Sequence, residues 1–521
     1  MSSSAARAQF SDPELQELAR REQDAQRQIQ ALYGLLAEAT NNGTPDDKLT
    51  ELRTAIDGLR ASRATIFEQI EKRFPDYASL INPKPASPSE VAEKLKSSEA
   101  LVAFYFTPKQ AYAFLVKNGK RVRFHISDFK RSELRTAVKT LRTALDPAAE
   151  TLGDIPEFNV AVAHKLYQKL LQPFEKDLTG ITNLFVVPHD DLWQIPVQVL
   201  VTSDFKLEAD NNLLFEQYRN VPWLANKYAV AALPAENIIV NQRSSKPKEG
   251  EDDRILLAAF GDPLFGLENQ ETSATKVSKD DMTARGGLKS RGAALKRRAV
   301  PQTRSADSAS LEDLPQLPDT LDEVNSIALA LNANIDGSLF TGTEASEANV
   351  KSQDLSNRRF LVFATHGLTP GELDGLGQPA LALTNPRITG SKEDGLLTTS
   401  EILGLRLDAD MVVLSACNTA AANGAGSEAI SGLGAAFFYA GAKSILVTGW
   451  PVETTSAKLL TTTMFGHFAG NNQVSPMQAL QKSSVSLIKE GSFKDDSGAE
   501  VFAYAHPIFW APFFVVGDSQ F

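Results

Sequence analysis

The sequence holds one cysteine among 521 residues. That scarcity excludes an intramolecular disulfide and any zinc site built from several thiolates, and it points to a reducing compartment, with cytoplasm the simplest expectation. The six histidines show no metal-ligand spacing such as HxxxH. A basic excess is also missing. The net charge of -11 and pI near 5.3 disfavour nucleic acid or an anionic membrane surface as partners and suit protein or neutral ones. Long apolar runs are lacking: the longest, Leu433 to Trp450, is broken by Lys443 and several glycines and reads as buried helix, turn and strand, not a membrane span. The Ser/Ala-rich start lacks the basic head and apolar stretch of a secretory signal, so no export is expected.

What is present is ordinary core material, 42% hydrophobic and 22% charged residues, in a chain long enough for two or three domains. Leu15, Leu18, Ala25, Ile29, Leu32 and Leu36 fall on one helical seam, with Ser11 and Glu14 as a capping box. Leu49, Leu52, Ile56, Leu59, Ile66 and Ile70 form a second seam after the stop Asn41-Asn42-Gly43, with Thr44-Pro45 as cap and first-turn proline. Residues 1–82 are therefore expected to be a coiled-coil-like helical hairpin, without a tetratricopeptide repeat.

From Ala100 the period changes. Leu101 to Phe106, Ala111 to Val116 and Val122 to Ile126 read as strands, the last two joined through Asn118-Gly119, and Leu184 to Val187 as a further apolar strand. The polar segment Gln242 to Asp253 reads as a boundary, which separates domains at 95–245 and 251–521. Beyond it, strands at Ile255 to Phe260, Arg359 to Ala364, Met411 to Ser415 and Ser444 to Thr448 alternate with helices around Thr320 to Leu331 and Ile430 to Ala440. Such alternation predicts an α/β fold with a mostly parallel sheet and flanking helices. Lys276 to Arg304 carries nine basic residues against two acidic ones and no apolar period, so about 268–312 is expected to be a flexible insertion and a plausible cleavage site.

Two strand ends carry chemistry. Phe360 to Ala364 runs into Thr365-His366-Gly367, and Met411 to Leu414 into Ser415-Ala416-Cys417-Asn418. Reactive groups gather at the carboxyl ends of parallel strands. If these strands are neighbours, His366 can take the thiol proton of Cys417, which near its ordinary pKa of about 8.5 is only slightly ionised at neutral pH. Gly367 leaves room for a substrate carbonyl, and its N–H with that of Cys417 could form an oxyanion hole. A lone cysteine at a strand end is usually a small buried hydrophobe; the pair with its glycine favours the catalytic reading. Trp450 could wall a substrate pocket or simply pack in the core. Asp374, Glu428 and Glu453 could hold a basic substrate side chain. His189-Asp190-Asp191 reads as a structural loop.

Several motifs in order resemble the CHAT family of caspase-like peptidases. They are the His-Gly strand end, Leu414 to Ala420, Ser431-Gly432-Leu433 with Phe437 to Ala442, Trp450-Pro451-Val452-Glu453, and His506-Pro507 with Trp510 to Phe513. Ser98 onward, Val187 to Asp190 and Gly261-Asp262-Pro263 extend the likeness to about four fifths of the chain. The resemblance implies a caspase and separase type of fold with a non-catalytic half before the active one. It also implies a Cys417/His366 dyad with Gly367 in the oxyanion hole, and no cofactor. It further implies a regulated cysteine endopeptidase of bacterial defence or cell death. Its protein substrate would be gasdermin-like or another defence effector, it would need an activator protein or ligand, and it could process itself within the insertion. The chain departs from many relatives in lacking tetratricopeptide repeats and in the length of its basic insertion. Two other readings stay open: a silent scaffold that binds partners through the hairpin, and a cysteine amidase. The amidase reading is weakened because Ser415 and Thr419 stand where such enzymes place glycines.

Overall fold

A computed structural model describes residues 13–41, 45–74, 85–147, 149–208, 213–244, 253–266, 295, 310–373, 375–416, 432–470, 474–495 and 497–518. The two predicted seams form long helices, α1 (Pro13–Asn41) and α2 (Asp46–Arg73). Leu15, Leu18, Ala25 and Ile29 on the first, and Leu49, Ile56, Ile66 and Ile70 on the second, are buried. Arg63 bridges to Glu22 at 2.6 Å and Arg73 pairs with Glu14, so the hairpin is tied by charge along its flank. Pro45 stands just before the first helical residue and not within the first turn; the rest of both expected caps, Ser11 and Thr44, lies outside the described residues. The described residues up to Pro85, together with Ser400–Arg406, make one compact unit, and the rest of the chain makes the other.

In the larger unit, apolar runs bounded by Gly, Pro and Asn form strands. In chain order these are β1 (Glu99–Phe106), β2 (Ala111–Lys117), β3 (Arg123–Ser127), β4 (Asn183–Val187), β5 (Ala229–Ala232), β6 (Ile255–Pro263), β7 (Leu339–Gly342) and β8 (Arg358–Ala364). They continue with β9 (Gly367–Leu368), β10 (Ala380–Ala382), β11 (Leu396–Thr398), β12 (Met411–Leu414), β13 (Ser444–Thr448), β14 (Ser492–Lys494), β15 (Glu500–Ala503) and β16 (Phe513–Gly517). The main helices are α3 (Arg131–Leu145), α4 (Val160–Leu170), α5 (Asn237–Ser244), α6 (Asp319–Ala330), α7 (Leu433–Ala440), α8 (Thr454–Gly470) and α9 (Pro476–Glu490).

One 11-stranded sheet runs β3-β2-β1-β4-β5-β16-β13-β12-β8-β6-β7. It is antiparallel at the β3-β2-β1 edge and between β16 and β13, and parallel elsewhere. This is the mostly parallel α/β sheet with flanking helices that the alternation predicts. Asn118-Gly119 turns β2 toward β3, with Gly119 at φ +58, a left-handed conformation glycine takes without steric cost. The sheet is continuous across the expected boundary near 242–253, because β16 pairs with β13 on one side and β5 on the other. α6 packs on β6 and β8, α9 on β5 and β16, and α8 contacts both helices. Within the basic insertion, Leu295 is described: it is buried, and its N–H donates to the Glu150 carbonyl at 2.9 Å. Residues 267–294 and 296–309, which make up most of the expected flexible stretch, lie outside the described residues. Among the described residues no helix is long and apolar enough to cross a membrane.

Candidate active site

β8 and β12 are direct neighbours, parallel and in register, with Phe363 opposite Leu414. The Ser415 N–H donates to the Phe363 carbonyl at 2.9 Å, which carries the pairing past the end of β12. His366 follows Phe363 by three residues, and Cys417 follows Leu414 by the same three. Adjacent strands lie about 4.8 Å apart, so the sheet brings the described ends of the two strands, Ala364 to His366 and Leu414 to Ala416, to one edge. Cys417 itself, with Asp374 and Glu428, lies outside the described residues.

His366 is fully buried. Its ring sits 5.4 Å from that of Phe265, and its Nε2 is 2.7 Å from the Pro315 carbonyl oxygen. A carbonyl can only accept, so Nε2 carries the hydrogen, and in the neutral ring the basic lone pair is left on Nδ1. The backbone beneath is held as well. The His366 carbonyl accepts from Ala382 N–H at 2.9 Å, the Thr365 hydroxyl donates to the Ala382 carbonyl, and Gly367 in β9 pairs with Leu381 of β10. A small β11-β10-β9 sheet therefore continues the chain beyond the histidine and fixes its direction.

The last described residues before Cys417 are pinned from below. Ser415 is fully buried, and its hydroxyl lies 3.0 and 3.2 Å from the two carboxylate oxygens of Glu323 on α6. Thr461 of α8 donates to the same carboxylate at 3.2 Å. The Ala416 carbonyl accepts from the Thr448 hydroxyl at the end of β13. Nothing in the motif reading singled out Glu323. The available signal was an acidic residue within the buried seam Thr320, Glu323, Val324, Ile327 and Ala328 of an amphipathic helix.

Trp450 and Glu453 are both built into the fold. Trp450 is fully buried, its indole N–H donates to the Ile508 carbonyl at 3.1 Å, and the Arg142 guanidinium lies 5.8 Å over its ring. Arg142, reaching from α3, also donates to the Gly449 carbonyl at 2.7 Å. Glu453 is buried and caps α8, accepting from the N–H groups of Thr455 at 3.2 Å and Ser456 at 2.7 Å. Burial raises its carboxyl pKa, and those cap bonds partly offset the rise. His189-Asp190-Asp191 holds α3: Arg131 pairs with Asp190 and Arg135 with Asp191 at 3.1 Å, while His189 Nδ1 accepts the Phe106 N–H at 3.3 Å.

Among solved structures, the chain is similar to the Saccharomyces cerevisiae separase in its complex with securin, at 9% identity and TM-score 0.42, covering 83% of this chain and 30% of that one. The chain thus spans under a third of the separase chain. It is also similar to the Arg-specific cysteine proteinase gingipain R, at 9% identity and TM-score 0.35 over 75% of this chain and 74% of that one. A third similarity is to the Porphyromonas gingivalis RgpB complex of pro- and mature domains, at 9% identity and TM-score 0.33 over 74% and 76% of the two chains. No curated protein matches in sequence. The sequence pattern of the CHAT domain matches residues 160–518, well over half of the chain, and this protein therefore belongs to the CHAT domain family.

Proposed function

We propose that this protein is a cysteine endopeptidase in which Cys417 is the nucleophile and His366 its base. The parallel pairing of β8 with β12 supports this reading most directly, since the strand ends that lead into His366 and toward Cys417 lie side by side at one sheet edge. The tautomer of His366 supports it too, because the Pro315 carbonyl leaves the basic nitrogen at Nδ1. In the proposed cycle Nδ1 receives the thiol proton and the thiolate adds to the scissile carbonyl. The backbone N–H groups of Gly367 and Cys417 hold the oxyanion. Collapse breaks the peptide C–N bond, the imidazolium protonates the leaving amine, and a thioester remains. Water, deprotonated by His366, then hydrolyses that thioester and restores the thiol. The family resemblance extends the proposal to a regulated protease of bacterial defence or cell death that acts on a gasdermin-like or other effector, with self-processing within 268–312.

Intact-mass and gel analysis of wild type beside Cys417→Ala, alone and with unfolded proteins and candidate effectors, tests the proposal. Cleavage by wild type alone is expected. Cleavage by both proteins would remove Cys417 from the mechanism. Absence of cleavage, together with a Cys417 no more reactive than an ordinary thiol, would favour the scaffold.

A further inference from the structure

We infer that Gln316 is a positioning residue for His366, acting by locking the peptide group whose carbonyl holds the imidazole Nε2–H. The inference rests on the proposed dyad and concerns how its base is kept in one tautomer.

The carbonyl bound to His366 belongs to the peptide joining Pro315 to Gln316. Rotation of that peptide plane would swing the acceptor away from the ring. That plane turns with Pro315 ψ and Gln316 φ, neither of which the proline ring locks, so side-chain bonds made by Gln316 can hold it. Both hydrogens of the side-chain amide are engaged, Nε2 donating to Asp262 Oδ1 at 2.9 Å and to the Pro263 carbonyl at 2.7 Å, while the buried Oε1 finds no partner among the described residues. Leu314 and Leu317, on either side, are buried.

The receiving surface is the Gly261-Asp262-Pro263 turn at the end of β6, and its construction is specific. Asp262 has φ +50, a left-handed conformation that aspartate tolerates better than most residues. Its N–H donates to the Thr320 hydroxyl at 2.8 Å, and that hydroxyl donates to the Leu317 carbonyl at 2.7 Å. A Cβ on Gly261 would stand 2.9 Å from Val324 Cγ1 and 3.2 Å from the Thr320 carbonyl, so glycine lets α6 close on the turn. Turn, helix start and the Leu314 to Leu317 segment are therefore stitched into one body around the Pro315 carbonyl. Burial also raises the Asp262 carboxyl pKa, and the Gln316 amide opposes that rise.

Two readouts on the full chain test this. Cys417 is the single cysteine, so iodoacetamide consumption reports it alone. With the dyad operating, wild type should alkylate at a lower pH than His366→Ala, whose profile should return to an ordinary thiol near pH 8.5. Gln316→Leu, which keeps the bulk and loses the donors, should lower the wild-type rate at pH 7 about tenfold while the circular-dichroism melt shows a folded protein. In 15N spectra of the histidine rings, with His366 assigned by difference from His366→Gln, Gln316→Leu should mix the two neutral tautomers. Asp262→Asn, which keeps an oxygen acceptor for the amide, should restore most of the single-tautomer signal relative to Gln316→Leu. An unchanged alkylation profile and an unchanged tautomer in folded Gln316→Leu would overturn the inference. If wild type and His366→Ala alkylate identically, the dyad reading fails, and the tautomer spectrum, which needs no reactive thiol, still decides the role of Gln316.

Discussion

Replacing Glu323 should loosen the segment that leads into the candidate nucleophile, and the size of the effect follows from its partners. The carboxylate is fully buried and faces two hydroxyls, Ser415 at 3.0 and 3.2 Å and Thr461 at 3.2 Å. A hydrogen bond to a carboxylate contributes about 1.5–3 kcal/mol, and a buried hydroxyl that loses its acceptor pays its own desolvation. Thr461 keeps the Ala457 carbonyl at 3.0 Å, so the loss falls mainly on Ser415. Removing the carboxylate also recovers part of the cost of burying it, which trims the total. Glu323→Ala should therefore destabilise by about 2–4 kcal/mol, including the void left by the side chain. Ser415→Ala should cost about 1.5–3 kcal/mol, and the double variant should fall short of the sum by about 1–2 kcal/mol. All four tryptophans, Trp193, Trp223, Trp450 and Trp510, lie in the larger unit, so urea unfolding followed by their fluorescence reads that unit alone. Additivity of the two substitutions within about 0.5 kcal/mol would refute the reasoning, because it would mean that the hydroxyl and carboxylate do not share an interaction.

Two further outcomes are expected. His506 is fully buried, which pushes its pKa down to about 3, and its Nδ1 accepts the Ile508 N–H at 3.2 Å. Its folded value lies below the unfolded one near 6.5, so its contribution is intact above pH 6.5 and is lost as pH falls toward 3, at up to about 1.4 kcal/mol per unit. His506→Asn, which can still cap Ile508, should flatten the urea midpoint between pH 6.5 and 5 relative to wild type; identical slopes would contradict the assignment. Trp450→Ala should cost about 3–5 kcal/mol as a core deletion, read from the urea midpoint. A change in cleavage specificity at unchanged stability would instead make Trp450 a pocket wall.

The legible parts of this molecule are those whose signal is local. Buried parallel strands read as runs of Val, Leu, Ile and Phe, so β6, β8, β12 and β13 stand at their expected places, and Asn118-Gly119 announces its hairpin. What local signals do not carry is partner choice. β16, the last strand, threads between β5 and β13 and joins the strands on both sides of residues 242–253, a pairing set by packing across the whole sheet. Trp450 and Glu453 show the same limit: residue type suggests a role, but the direction of each side chain, onto the Ile508 carbonyl and onto the first turn of α8, comes from tertiary context.

His366 was visible because imidazole is chemically distinctive at a strand end, whereas the group that orients it is a backbone carbonyl 51 residues earlier in the chain. Every residue has such a carbonyl, so no residue type marks it, and substituting Pro315 would leave an acceptor in place. The means of testing that oriented base is thus displaced by one residue. Gln316 is the side chain whose bonds to Asp262 and Pro263 decide where the carbonyl points. The same displacement holds beneath β12, where Glu323 acts on the strand end through Ser415. In both places the support is a residue or backbone group far away in the chain, and nothing local to His366 or Ser415 marks it, which explains why the strand-end histidine was legible in the sequence and these supports were not.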